Sequence, residues 1–243
     1  MGIKGTEVAK EAADMILMDD NFATIVAAVE EGRGIYDNIK KFIRFLLSCN
    51  FGEIFTIAIA GFFGLPLPLL PIHMLWINLI TDGLPAVALS VDPPEKDIMK
   101  RKPRDPKEGI LANTFLFMLV GSAVVTFATI LVFATDLVAT GNVTEARTVA
   151  FTVLTFFELL FVFNCRSEKH SVFTNPPWTN KKLVLAVVAS ILLQILIIYT
   201  PFLQTIFKIT YLDLYDWIRV IMFSSIALLI LPKFFIPRKT KRD

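Results

Sequence analysis

Runs of apolar residues about as long as a bilayer is thick recur through this chain and leave little room for any other architecture. A spanning helix needs about 20 mostly apolar residues. Six stretches qualify: 43–64, 71–91, 114–135, 148–165, 183–204 and 217–236. The segment 183–207 holds no formal charge at all, and 114–135 holds none either. With 55% hydrophobic residues over 243 positions, a water-soluble fold is excluded. The expected fold is all-α, a polytopic membrane helix bundle of six transmembrane helices.

Charge placement tests that topology independently. Lys4, Lys10, Arg33, Lys40, Lys41 and Arg44 precede or open the first span, and Lys96, Lys100, Arg101, Lys102, Arg104 and Lys107 separate the second from the third. Arg166, Lys169, Lys181 and Lys182 follow the fourth span, and Lys233, Arg238, Lys239, Lys241 and Arg242 close the chain. Only Arg147, Lys208 and Arg219 fall on the other side, so the positive-inside rule places both termini in the cytoplasm. Arg219 and Lys233 at the edges of the sixth span are expected to snorkel toward headgroups. Tyr211, Tyr215 and Trp217 form an aromatic belt at its outer end. The net charge of +2 gives no pull toward nucleic acid, and two cysteines with two histidines make neither a disulfide scaffold nor a zinc framework. Cys49 and Cys165 read as small buried hydrophobes, and His73 and His170 are assigned no metal.

The first 34 residues differ in character from the rest. Residues 6–13 read as a short helix, Met15 to Met18 as a buried strand bounded by Asp14, Asp19 and Asp20, and Asn21 as a helix cap. Phe22, Ile25, Val26, Val29, Tyr36, Ile39 and Ile43 then keep helical spacing without a proline into the first span, which predicts a long stalk helix. One helix and one strand cannot bury enough surface to fold alone. Residues 1–34 therefore read as a small incomplete cytoplasmic α/β remnant, and 35–243 as the transmembrane domain.

The chemistry sits in the impure spans. Glu53, Asp82 and Glu158 lie well inside the first, second and fourth spans, with no lysine, arginine or histidine at comparable depth. Each acid at mid-bilayer costs about 2.5–3.5 kcal/mol, so three together need compensation by protons, water or a bound cation. Asn50 precedes Glu53 by one turn, and Asn78 and Thr81 precede Asp82 on broadly the same helical side. Carboxylate, amide and hydroxyl oxygens suit a hard cation such as calcium, whereas a soft-metal path would offer cysteine or histidine at that depth. The run Asp82-Gly83-Leu84-Pro85 predicts that the second span unwinds just after the acid, where proline removes a helical hydrogen bond.

These residues carry a resemblance. Asn50-Phe51-Gly52-Glu53 and the string from Leu75-Trp76-Ile77-Asn78 through Thr81-Asp82-Gly83-Leu84-Pro85 look like two spans of P-type cation-transporting ATPases, calcium-pump branch. Gly5-Thr6-Glu7-Val8-Ala9-Lys10, Asp19-Asp20-Asn21-Phe22 and Glu30-Glu31-Gly32-Arg33 resemble the end of that family's phosphorylation domain and its stalk. Asp92-Pro93-Pro94 and Pro103-Arg104-Asp105-Pro106-Lys107-Glu108 resemble its next cytoplasmic loop. The resemblance implies that Asn50, Glu53, Asn78, Thr81, Asp82 and Glu158 bind a transported Ca2+. Glu158 rests on the shorter match at Phe157-Glu158 and Asn164. It also implies a phosphorylated-aspartate cycle, but the Asp-Lys-Thr-Gly-Thr, Thr-Gly-Glu and Gly-Asp-Gly-x-Asn-Asp segments that carry it do not occur here. ATP and Mg2+ thus belong to a full-length parent, and this chain alone is not expected to hydrolyse ATP. The implied partners are the lipid bilayer and either the missing N-terminal portion or, if the chain is a non-catalytic subunit or regulator, an intact pump.

Overall fold

The computed structural model describes residues 1–95, 97–103, 109–111, 114–168 and 170–235. The basic residues Lys96, Arg104, Lys107, Lys169, Arg238, Lys239, Lys241 and Arg242, and most of the 103–108 motif, lie outside the described residues. The described residues form helices and turns but no strand: α1 Glu7–Glu11, α2 Ala23–Phe62, α3 Pro71–Trp76, α4 Gly83–Ser90, α5 Phe115–Thr140, α6 Val143–Cys165, α7 Lys181–Tyr199, α8 Pro201–Phe207, α9 Leu214–Ser225 and α10 Pro232–Phe235.

Five segments are long and apolar enough to cross a membrane: α2, 71–90, α5, α6 and α7. The sixth expected span is instead broken, with α9 and α10 separated by a 3-10 turn at Ile226–Leu229. Pro232 lacks the N–H that a continuous helix would aim at the Leu228 carbonyl, and its ring crowds that carbonyl. Asn164 of α6 repairs the break, its Nδ2 donating to the carbonyls of Ala227 at 3.0 Å and Leu228 at 3.3 Å. Arg219 is also placed differently from the expected snorkelling position. It reaches Asp136 of α5 at 2.6 Å and pairs with Asp216, because a buried carboxylate on the neighbouring helix is a better partner than a distant headgroup.

The 40 residues of α2 span about 60 Å, twice the hydrocarbon thickness, so the helix runs on well beyond any membrane as a stalk. At its start the N-terminal segment folds back. Thr6 caps α1, Gly2 N–H donates to the Leu17 carbonyl at 2.7 Å, and the Asp20 carboxylate accepts the N–H groups of Ile3 and Lys4. Asn21 accepts from the Ala23 N–H just ahead of the helix. The strand expected at Met15 to Met18 does not form, and Met15, Ile16 and Met18 are exposed. A strand is stable only when its backbone is paired on a sheet, and this stretch gains the Gly2 bond and a local turn bond from the Asp20 N–H to the Leu17 carbonyl instead.

Close approach organises the bundle. A Cβ added at Gly52 of α2 would lie 2.5 Å from Val125 Cγ1 of α5, and one added at Gly121 of α5 would lie 2.6 Å from the Phe161 ring of α6. Across the first contact Ser122 Oγ donates to the Ser48 carbonyl at 2.8 Å and Thr126 Oγ1 to the Gly52 carbonyl at 3.1 Å. Across the second, Phe161 stacks on Phe117 at 5.2 Å and on Phe157 at 6.0 Å. Helix α6 is thereby the centre and is buried over most of its length, whereas α7 is peripheral and mostly uncovered.

One end of the bundle is tied by charge. Asp92 is 3% exposed; its carboxylate accepts from Lys41 at 2.8 Å, Arg166 at 2.9 Å and Asn180 at 2.8 Å, joining α2, the end of α6 and the start of α7. Beside it Glu168 pairs with Lys40 at 2.5 Å and Arg44 at 2.8 Å. Burial raises the Glu168 carboxyl, but the Arg44 and Lys40 cations outweigh it and hold the group below the usual carboxylate range. His73 is a core residue: its ring stacks on Phe151 at 4.5 Å, Nδ1 accepts from the Leu70 N–H, and Nε2 donates to the Phe207 carbonyl at 2.7 Å.

Candidate cation site

Between α3 and α4 the backbone passes through a π-helical turn, Ile77–Thr81, closed by the Asp82 N–H on the Ile77 carbonyl at 2.8 Å. The irregularity thus precedes Asp82 instead of following it. Pro85 falls in the first turn of α4, where its missing N–H leaves no bond unmade, so the helix resumes at once after the acid. The extra residue in the turn re-aims what it carries, as such bulges commonly do at functional sites. Ser190 of α7 approaches the loosened stretch, its hydroxyl 3.4 Å from the Ile80 carbonyl.

The expected site residues separate into two groups and two bystanders. Asn78, on the π turn, donates through Nδ2 to both carboxylate oxygens of Glu53 on α2, at 3.0 and 2.8 Å. Asp82 and Glu158 form the second group. One carboxylate oxygen from each lies within 4.8 Å of the other and of the Cys49 sulfur. All four carboxylate oxygens of Asp82 and Glu158 are buried without a hydrogen-bond partner. Asn50 and Thr81 spend their side chains on their own helix, Asn50 Nδ2 donating to the Leu46 carbonyl at 2.8 Å and Thr81 Oγ1 to the Ile77 carbonyl at 3.1 Å.

Cys49 is the residue that its apolar surroundings disguised. It is 1% exposed, as a small hydrophobe would be, yet it stands one helical turn before Glu53, and that four-residue spacing was the available signal. Thr155, one helical turn before Glu158, likewise has a buried hydroxyl without a partner.

A buried carboxylate without a cation or a donor is costly, and here two stand side by side. Two ligand atoms on opposite sides of a calcium ion are up to about 5 Å apart, given Ca–O distances of 2.3–2.6 Å. A carboxylate oxygen of Asp82 and one of Glu158, within 4.8 Å of each other, are therefore close enough to reach one hard cation from two sides. These side chains come from α2, the π-turn junction and α6, so a shift of any of these elements changes their spacing.

The family model described as cation transporting ATPase, C-terminus, matches residues 66–232. The chain belongs to this family. It is 49% identical over 241 residues to a calcium-transporting ATPase of Bacillus subtilis, covering 98% of this chain and 27% of that protein. It is 46% identical over 246 residues to calcium-transporting ATPase 1 of Bacillus cereus (95% and 28%) and 38% identical over 290 residues to a calcium-transporting ATPase of Plasmodium falciparum (100% and 24%). The chain thus spans roughly a quarter of the length of these curated relatives. A multi-pass membrane helix bundle and membership of a cation-pump family agree with each other.

Proposed function

We propose that this chain is the cation-translocating membrane portion of an ATP-driven calcium pump, with Glu53, Asn78, Asp82 and Glu158 as the core of a Ca2+ position and Asn50 and Thr81 joining it when an ion is bound. The observation that carries the reading is the pair of buried, unpartnered carboxylates of Asp82 and Glu158. Matches to calcium-transporting ATPases over nearly the whole chain support calcium as the ion. ATP and Mg2+ act in the parent pump, on segments other than these. The basic end formed by Lys41, Arg44 and Arg166 faces the cytoplasm, in keeping with the positive-inside rule.

Asn78 is exposed on the outside of the bundle although its amide holds Glu53. A polar group facing lipid at that depth is unfavourable. This edge is accordingly the face on which the N-terminal portion of such a pump packs, covering the Asn78 amide. The test is equilibrium binding of radioactive calcium to the chain in lipid nanodiscs. Asp82→Asn and Glu158→Gln should each weaken binding at least about tenfold, the scale expected when a charged ligand is lost from a buried site. Unchanged binding in both variants would remove the site assignment.

A further inference from the structure

Cys49 stands in the buried cluster with no part in hard-ion binding, since calcium takes oxygen ligands. We propose that Cys49 is a specificity-determining residue of the same site: its sulfur gives thiophilic divalent cations, the class of zinc and cadmium, a route into the cage in competition with calcium. The proposal rests on the reading of the cluster as a cation site and deepens it.

Three observations support it. The Cys49 sulfur and a carboxylate oxygen of both Asp82 and Glu158 lie within 4.8 Å of one another, and all three side chains are buried. Both carboxylates are unpartnered, so the sulfur is not screened from the cage by a competing donor. Among the described residues this trio is the only group of three or more such ligands, and the other free thiol, Cys165, has no place in it.

One thiolate and two carboxylates form a three-ligand zinc set with an open fourth position, using Zn–S near 2.3 Å and Zn–O near 2.0–2.2 Å. The S–H proton leaves to water as the sulfur–metal bond forms. Ligands around so small an ion stand roughly 3.5 Å apart, so atoms up to 4.8 Å apart close by at most about 1.3 Å to hold it. Cys49 lies on α2, Asp82 at the start of α4 and Glu158 on α6, so the contraction draws three separate elements together. Glu53 need not follow, because its carboxylate is already engaged by Asn78. Calcium and zinc therefore use overlapping but different ligands, calcium drawing on Glu53 and zinc on Cys49.

The experiment uses the full chain in lipid nanodiscs, zinc as the probe, radioactive calcium as the competitor and X-ray absorption to identify the zinc ligands. Expected for the unaltered chain are zinc displacement of calcium and one sulfur neighbour at about 2.3 Å. Cys49→Ser and Cys49→Ala should lose the sulfur signal and raise at least tenfold the ratio of half-displacing zinc to the calcium Kd. Cys165→Ser should behave as the unaltered chain, and Glu53→Gln should weaken calcium more than zinc. A sulfur signal that survives Cys49→Ser, or an unchanged displacement ratio in both Cys49 variants, overturns the proposal. If the unaltered chain binds calcium but zinc does not displace it, the proposal alone falls. If it binds neither ion, the underlying calcium reading falls with it.

Discussion

Alanine at Gly52 places a methyl group where α2 and α5 touch, one residue from Glu53. The added Cβ would sit 2.5 Å from Val125 Cγ1, whereas carbon atoms in good contact stand about 3.5–4.0 Å apart. At least about 1 Å must be found. Val125 is β-branched and 2% exposed, so rotation about χ1 gives little relief. The helices must separate instead, stretching the bonds from Ser122 to the Ser48 carbonyl (2.8 Å) and from Thr126 to the Gly52 carbonyl (3.1 Å). Overpacking costs about 1–3 kcal/mol and weakening the two hydrogen bonds about 0.5 kcal/mol each, which sums to a loss of about 2–4 kcal/mol. For a chain of this size that is a fall in Tm of about 4–16 °C. Thermal unfolding in nanodiscs should be compared for the unaltered chain, Gly52→Ala, Val125→Ala and the double variant. Val125→Ala removes the obstructing methyl group, so the double variant should be about 1–3 kcal/mol more stable than the two single losses predict. A Gly52→Ala protein that melts with the unaltered chain, or a double variant without coupling, refutes close approach as the organising contact.

Two further outcomes follow from the charged end of the bundle. Asp92→Asn leaves Lys41 and Arg166 buried without their counter-charge and should cost about 3–5 kcal/mol in thermal or denaturant unfolding; a loss below about 1 kcal/mol would put the network in the class of surface pairs. Because the Glu168 carboxyl is held low by Arg44 and Lys40, its contribution is present above the ordinary carboxylate pKa and disappears as pH falls through the lower folded value. The Tm difference between the unaltered chain and Glu168→Gln should therefore be widest near neutrality and close as the medium is acidified to about pH 4 and below. A difference that grows on acidification contradicts the ion pairs.

The class of the fold and the location of the chemistry were legible because both follow from composition along a helix. Apolar length marked the spans, and Glu53, Asp82 and Glu158 stood out as acids where none should be free. Other features depended on partners that a linear pattern does not display. Met15 to Met18 had the residues of a strand but no sheet to join. The run at Pro85 looked like a helix break, yet the π turn before Asp82 absorbed the irregularity and let proline fall in a first turn. Arg219 looked like a membrane-edge cation until α5 brought Asp136 beside it.

The sequence by itself determined that this chain lives in a bilayer as helices and buries acids there, since the free energies of apolar length and of mid-membrane charge belong to each segment separately. Only the tertiary structure decided that Asp82 and Glu158 face one another with Cys49 between helices, that Asn78 holds Glu53, and that Asn50 and Thr81 turn to their own backbone. Those outcomes depend on helix rotation and approach, set by contacts such as Gly52 on Val125 and Gly121 on Phe161, and distance between elements is not a property of any one of them.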